Sequence, residues 1–324
     1  MSLLRRGAGL ALVTGAYLGA GMAPLVAQEP LSWAEMRREI RGMEPSPATR
    51  ISYGSGPLRF GELRLPPGPG PHPVAIVIHG GCWLSIADLS YVRPLASELV
   101  EAGWATWTLE FNPIDQAEGS WPGILQDVAA GADHLLKIAG EYSLDLERVA
   151  AVGHSSGGHL ALWLSARSGA EGRTPPLPGS EGDPLAIRGV VGLAPVAGLE
   201  DFQARSDRCG STIVARLVDS PPAGAGEGTP EASLRRESRL DATDPERMLP
   251  LGVAQLMIFG EEDGIVPPAH GVAWQGRVEE FGDEVQVQIV SGAGHFEVVA
   301  PWTASWPDVE TALRVFLSGL EAGV

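Results

Sequence analysis

The sequence predicts an α/β architecture, a mostly parallel central sheet flanked by helices and interrupted by one long insertion. Two observations carry this. Short apolar, β-branched runs alternate with helical periodicity from residue 59 to the C-terminal end, the pattern of strands joined by crossover helices. One run, residues 74–78, is apolar at every position, as a strand buried on both faces requires.

The elements follow in order. Ser32 and Glu35 are spaced as a capping box, predicting a short helix over 32–41. Residues 59–65 alternate as a strand should, and the Pro/Gly-rich stretch 66–73 makes a stiff connector to the buried strand 74–78. A helix over 95–102, closed by Gly103, leads to a strand at 104–110. Residues 123–139 read as one helix, 149–152 as a strand, 156–168 as a helix and 189–193 as a strand. Strands at 255–259 and 285–290, and helices at 269–281 and 306–320, complete the pattern. Two stretches break it. Residues 169–184 are a Gly/Pro-rich loop, and 199–249 is too long for a plain connection and is expected to form a cap or lid.

With 324 residues, 44% of them apolar and 19% charged, the chain can bury one large core. A formal charge of −17 without a basic run argues against nucleic acid or anionic lipid as a partner. Residues 1–27 stand apart: Arg5-Arg6, then an uncharged Gly/Ala/Leu-rich centre ending at Ala27, the composition of a signal peptide. That predicts export, with a mature chain starting near Gln28 or Glu29. Residues 28–50 are then an N-terminal extension and 51–324 the main domain. In an oxidising compartment Cys82 and Cys209 could be bridged, or they could remain two separate buried thiols. No metal-ligand spacing or nucleotide-binding glycine pattern is present, so no cofactor is expected.

The chemistry centres on Gly153-His-Ser155-Ser-Gly157 between a strand and a helix. G-x-S-x-G in that setting is a sharp turn that exposes its serine as a nucleophile and demands small neighbours. Ser155 is the expected nucleophile and Ser156 its rival. A serine needs a base, and the base an orienting acid. Among the histidines after Ser155, His159 lies along the same helix and His270 opens a later one. His295, in Ser291-Gly-Ala-Gly-His295-Phe296 just after a strand, is expected to be the base. Asp263, in the loop after the preceding strand, is the expected acid, with Glu262 as runner-up. His79-Gly-Gly-Cys-Trp83 follows the buried strand, and the backbone N–H groups of Gly81, Cys82 and Ser156 are expected to bind an oxyanion.

These four motifs, running along the chain as His79, Ser155, Asp263 and His295, resemble the esterase/lipase branch of the α/β-hydrolase fold, in particular kynurenine formamidase-like and feruloyl/acetylxylan esterase-like proteins. The resemblance implies an acyl hydrolase working through Ser155, His295 and Asp263 on a small-molecule substrate, with a cap over its pocket. An exported chain fits a carboxylic ester better than N-formylkynurenine, leaving formamidase or prolyl-oligopeptidase-type amide cleavage as the alternative. Trp83, Trp121, Trp302 and Trp306 lie near the motifs and could line an aromatic pocket, though core packing is the commoner use of tryptophan.

Overall fold

The computed structural model describes residues 29–44, 46–168, 183–219 and 230–322. The stretch 1–27 that reads as a signal peptide, nearly all of the loop 169–184 and all of the Gly/Pro-rich section 220–229 of the insertion lie outside the described residues.

Eight strands form one sheet: β1 (Thr49–Ser52), β2 (Phe60–Arg64), β3 (His72–Ile78), β4 (Ala105–Leu109), β5 (Leu144–His154), β6 (Gly189–Leu193), β7 (Ala254–Gly260) and β8 (Val285–Val290), in the order β1-β2-β4-β3-β5-β6-β7-β8. β1 pairs antiparallel with β2 and β2 with β4, and all other pairings are parallel. β3, β4 and β6 are buried at every position, and two apolar clusters cover the two faces of the sheet. This is the α/β-hydrolase arrangement, with helices on both sides.

Register places the site. Ile78 lies beside Gly153, His154 beside Leu193, and Leu193 beside Ile258. The ends of β3, β5 and β7 therefore reach the same carboxyl edge, where open parallel sheets bind ligands.

Three differences from the sequence reading have local causes. The helix expected over 123–139 is two, Gly123–Asp133 and Leu135–Tyr142. Trp107 Nε1 donates to the carbonyl of Gly131 at 2.8 Å, engaging the group that an unbroken helix would offer to Leu135. β1 was not anticipated, because Thr49–Ser52 is a mostly exposed edge strand with no apolar alternation. Residues 28–50 are more than an extension: the capped helix Trp33–Ile40 buries Met36 completely, and β1 joins the sheet.

The insertion forms the helices Leu199–Arg205, Ile213–Asp219 and Pro230–Asp241 and a 3₁₀ turn, Pro245–Met248. Its root is held by indole and imidazole donors of the main domain: Trp163 Nε1 to Ala242 O at 3.0 Å and His159 Nε2 to Thr243 O at 2.9 Å. Cys82 and Cys209 are joined by a disulfide that ties the insertion to the loop after β3.

Candidate active site

Ser155 sits at φ +57°, the left-handed backbone that lifts its side chain out of the strand–helix turn. The turn tolerates nothing larger than glycine at two points. A Cβ on Gly153 would lie 2.2 Å from the carbonyl oxygen of Gly157, and one on Gly157 would lie 2.3 Å from that of Ile78. Ser155 N–H donates to Leu193 O at 2.9 Å, while Ser155 O accepts from Gly158 at 2.9 Å and Val196 at 3.1 Å. The strained residue is thus fixed from β6 and from the following helix.

His295 and Asp263 are brought together as expected. His295 Nδ1 donates to Asp263 Oδ2 at 2.7 Å, and both side chains are buried. The other carboxylate oxygen, Oδ1, accepts Ile265 N–H at 2.7 Å and Val266 N–H at 2.8 Å. These two donors aim Asp263. Gly264 sits in open space with no positive φ and has no part in it. The glycine that matters is Gly260, where a Cβ would lie 2.4 Å from the carbonyl oxygens of both Ala293 and Gly294. Glu262, the runner-up acid, is exposed.

A second imidazole–carboxylate pair has similar first-sight geometry. His270 Nδ1 donates to Asp201 Oδ2 at 2.6 Å, but His270 Nε2 accepts the backbone N–H of Ala197 at 2.8 Å. Its second nitrogen is already engaged, so the pair is a clasp between the insertion helix Leu199–Arg205 and the helix Pro268–Glu280. His159 is engaged on both sides as well, accepting Trp83 Nε1 at 3.2 Å and donating to Thr243 O. Burial pushes its pKa down to about 4, so it remains a neutral link.

The loop after β3 is left-handed at three consecutive residues: Gly81 at φ +115°, Cys82 at +57° and Trp83 at +60°. Such a run turns N–H groups toward one concavity and favours anions there. Gly80 N–H donates to the Tyr91 hydroxyl at 2.5 Å and Trp83 N–H to Ser156 Oγ at 3.2 Å. Between them, the N–H groups of Gly81 and Cys82 have no acceptor among the described residues. Ser156 begins the helix Ser156–Ser168, where a first-turn N–H lacks an intrahelical partner. Its hydroxyl, committed to Trp83 and nearly inaccessible, is no rival to Ser155.

A hydrogen-bonded chain links these parts. Tyr91 accepts from Gly80 and donates to His154 Nδ1 at 2.8 Å, and His154 Nε2 donates to the backbone carbonyl of His295 at 2.9 Å. Burial, and then the neighbouring His295 ring 4.7 Å away, hold His154 far below the usual imidazole pKa. It stays neutral beside a histidine that must be free to take a proton. His79 is the opposite case: Nδ1 faces Gly80 O at 2.8 Å and Nε2 faces Glu110 Oε1 at 3.0 Å, so both nitrogens donate. Burial by itself lowers its pKa, but the charge and hydrogen bond of Glu110, with Gly80 O, outweigh it and the net shift is upward.

Ser155, His295, Gly81 and Cys82 line one cavity of about 160 Å³. Its aromatic walls are Trp33, Tyr91 and Phe296, none of which the sequence motifs mark as pocket residues. The anticipated tryptophans lie elsewhere. Trp83 and Trp306 are core residues, Trp121 donates to Thr243 Oγ1 at 3.0 Å, and Trp302 lines a separate surface cavity. Trp33 is held in place from the His295 loop: Leu31 N–H donates to Glu297 Oε1, and Gly294 N–H donates to Glu297 Oε2 at 3.0 Å. The only sequence signal for it was the capping box that starts its helix.

The BD-FAE family model matches residues 63–277. The chain belongs to the BD-FAE family. The matched span takes in Ser155 and Asp263 but stops short of His295 and begins after Trp33. Among curated relatives, Esterase LipC of Mycobacterium tuberculosis (strain ATCC 25618 / H37Rv) is 24% identical over 257 residues, 76% of this chain and 59% of that protein. The probable carboxylic ester hydrolase LipM of the same organism is 26% identical over 201 residues, 61% of this chain and 43% of its own length. The chain thus spans about half the length of these relatives. Among solved structures, a phosphonate-inhibited esterase B from Lactobacillus rhamnosis superposes with TM-score 0.72 at 17% identity, over 90% of this chain and 93% of that one. A carbohydrate esterase from gut microbiota gives 0.68 at 20% identity, over 86% and 97%. At these identities the two structures share the fold of this family member.

Proposed function

We propose that the protein is an exported serine hydrolase that cleaves small carboxylic esters through an acyl-enzyme. The observation that carries this reading is the Asp263–His295 pair on the same cavity as Ser155, facing a loop with two N–H donors left over. Ser155 Oγ attacks the ester carbonyl carbon as His295 Nε2 takes its proton, and Asp263 steadies the imidazolium through Nδ1–H. The carbonyl oxygen becomes an oxyanion and accepts from Gly81, Cys82 and Ser156 N–H. Collapse breaks the bond to the alcohol oxygen, which leaves with the proton from Nε2. Water, deprotonated by His295, then releases the acid and restores Ser155. The relatives named as esterases support ester over amide chemistry. A cavity of about 160 Å³ is close to one that holds a benzene ring, about 150 Å³, which fits an acyl group of up to about six carbons.

Export rests on the composition of residues 1–27 and gains support from the Cys82–Cys209 bridge, since disulfides persist in oxidising compartments. Fluorophosphonate labelling of the purified protein, with the modified peptide mapped, tests for an activated serine whatever the substrate. Turnover of 4-nitrophenyl butyrate against N-formyl and amino-acid anilides then separates ester from amide hydrolysis. An unlabelled Ser155, or faster cleavage of the anilides, overturns the reading.

A further inference from the structure

Among the described residues, Arg208 is the one charged side chain from the insertion that lines the cavity holding Ser155. It is exposed and has no ion pair, side-chain hydrogen bond or ring contact among the described residues. Two other arginines of the insertion are committed: Arg205 to Asp201 at 2.7 Å, and Arg247 to Glu237 at 2.8 Å and Asp241 at 2.9 Å. The residues lining this cavity include no carboxylate.

Arg208 does not hang from a free loop. Its neighbour Cys209 is bonded to Cys82 on the oxyanion loop, its own N–H donates to Ser206 Oγ at 3.4 Å, and Gly210 N–H donates to Asp207 O at 2.7 Å. The backbone that carries Arg208 is therefore tethered beside the oxyanion loop, and its side chain lines an otherwise largely apolar pocket. The charge extends outward. A second cavity of about 680 Å³ shares Trp33, Ile86 and Ala87 with the first and is lined by Arg37 and Arg41, neither of which has an ion pair among the described residues. Its one carboxylate, Asp88, is turned to Ser90 N–H at 2.8 Å, the cap of a 3₁₀ turn. On a chain of formal charge −17, uncompensated arginines at the entrance to the nucleophile make a local basin for an anion.

We infer that Arg208 is a specificity-determining residue and that the preferred substrates are esters carrying a carboxylate a few bonds from the scissile carbonyl. The guanidinium fork pairs with that carboxylate while the apolar wall packs on the carbon chain. The inference rests on the ester-hydrolase reading and narrows it.

Two matched pairs test it on the whole protein: mono-4-nitrophenyl glutarate against 4-nitrophenyl valerate, with the charge on the acyl side, and 4-acetoxybenzoate against 4-methylphenyl acetate, with the charge on the leaving group. The wild type should turn over at least one carboxylate ester with the higher kcat/KM of its pair. Arg208→Gln should lower that value by about tenfold or more, keep the neutral twin within about twofold, and mostly abolish the salt sensitivity of the preference. Arg208→Lys should restore part of it. If neither carboxylate ester is favoured, or if Arg208→Gln slows charged and neutral esters alike, the inference is wrong. Failure of the underlying reading looks different: none of the four esters is cleaved and Ser155 takes no phosphonate.

Discussion

Ser156 Oγ accepts the backbone N–H of Trp83 at 3.2 Å, so the residue after the nucleophile grips the loop that faces it across the site. From sequence, Ser156 matters as a rival nucleophile and for its own backbone N–H. Its hydroxyl also satisfies a buried donor at a left-handed residue, and that changes what its removal does.

Ser155→Ala should leave the fold unaltered and reduce kcat on short esters by about 10⁴-fold or more. Ser156→Ala should keep turnover measurable but lose about 1–3 kcal/mol of stability, the cost of a buried N–H without a partner. Urea titration and steady-state kinetics on both variants check this. An inactive Ser156→Ala beside an active Ser155→Ala would reverse the assignment of the nucleophile.

The two histidine–aspartate pairs should separate cleanly. Asp263→Asn should cost about 10⁴-fold in kcat, because the imidazole loses the partner that fixes its tautomer. Asp201→Asn should leave kcat near wild type and lower the melting temperature, since His270 has no free nitrogen to offer a substrate. A large kcat loss in Asp201→Asn would show that the clasp acts on the chemistry.

The disulfide spans 127 residues of chain. Cys209→Ser should destabilise the protein by about 2–4 kcal/mol and raise KM more than it lowers kcat, because Cys82 keeps its backbone donor while the insertion loosens. Oxidised wild type should show no free thiol after denaturation. Two titratable thiols in protein recovered from an oxidising compartment would refute the bridge.

His79 makes stability pH-dependent. Its folded pKa lies above the unfolded value of about 6.5. The His79–Glu110 pair therefore contributes fully below about pH 6.5, and its contribution fades as pH rises through the folded pKa. Glu110→Gln should flatten that decline in denaturation midpoints measured from pH 6 to 9. An identical slope in wild type and variant would remove His79 as its source.

Trp33→Ala should widen the pocket and shift preference toward longer acyl chains, with little change in thermal stability, because the indole is only partly buried. A ladder of 4-nitrophenyl esters from acetate to decanoate reads it. An unchanged chain-length profile would take the N-terminal helix out of the substrate site.

Local rules in the sequence were enough for the parallel sheet, most helices, the Ser155 turn and the pairing of Asp263 with His295. Apolar runs declare buried strands, and G-x-S-x-G, G-x-x-D and G-x-G-H each mark a tight turn at a strand end. What packing across the molecule decided was invisible to those rules. Trp33 is held at the pocket by contacts from far along the chain, among them Glu297, more than 260 residues away, which accepts Leu31 N–H, and the Tyr91 and Phe296 rings. Asp263 is aimed by the backbone donors of Ile265 and Val266, not by the glycine beside it. His270 and His295 each pair with an aspartate, a likeness no spacing announces, and what separates them in the fold is that the second nitrogen of His270 is taken up by Ala197 N–H. Arg208 lines the pocket next to Cys209, whose bond to Cys82 ties that segment to the oxyanion loop and which sequence left open. Short-range propensity sets the elements. The long-range hydrogen bonds and the disulfide set what each side chain faces, because those depend on distances that no spacing in the chain encodes.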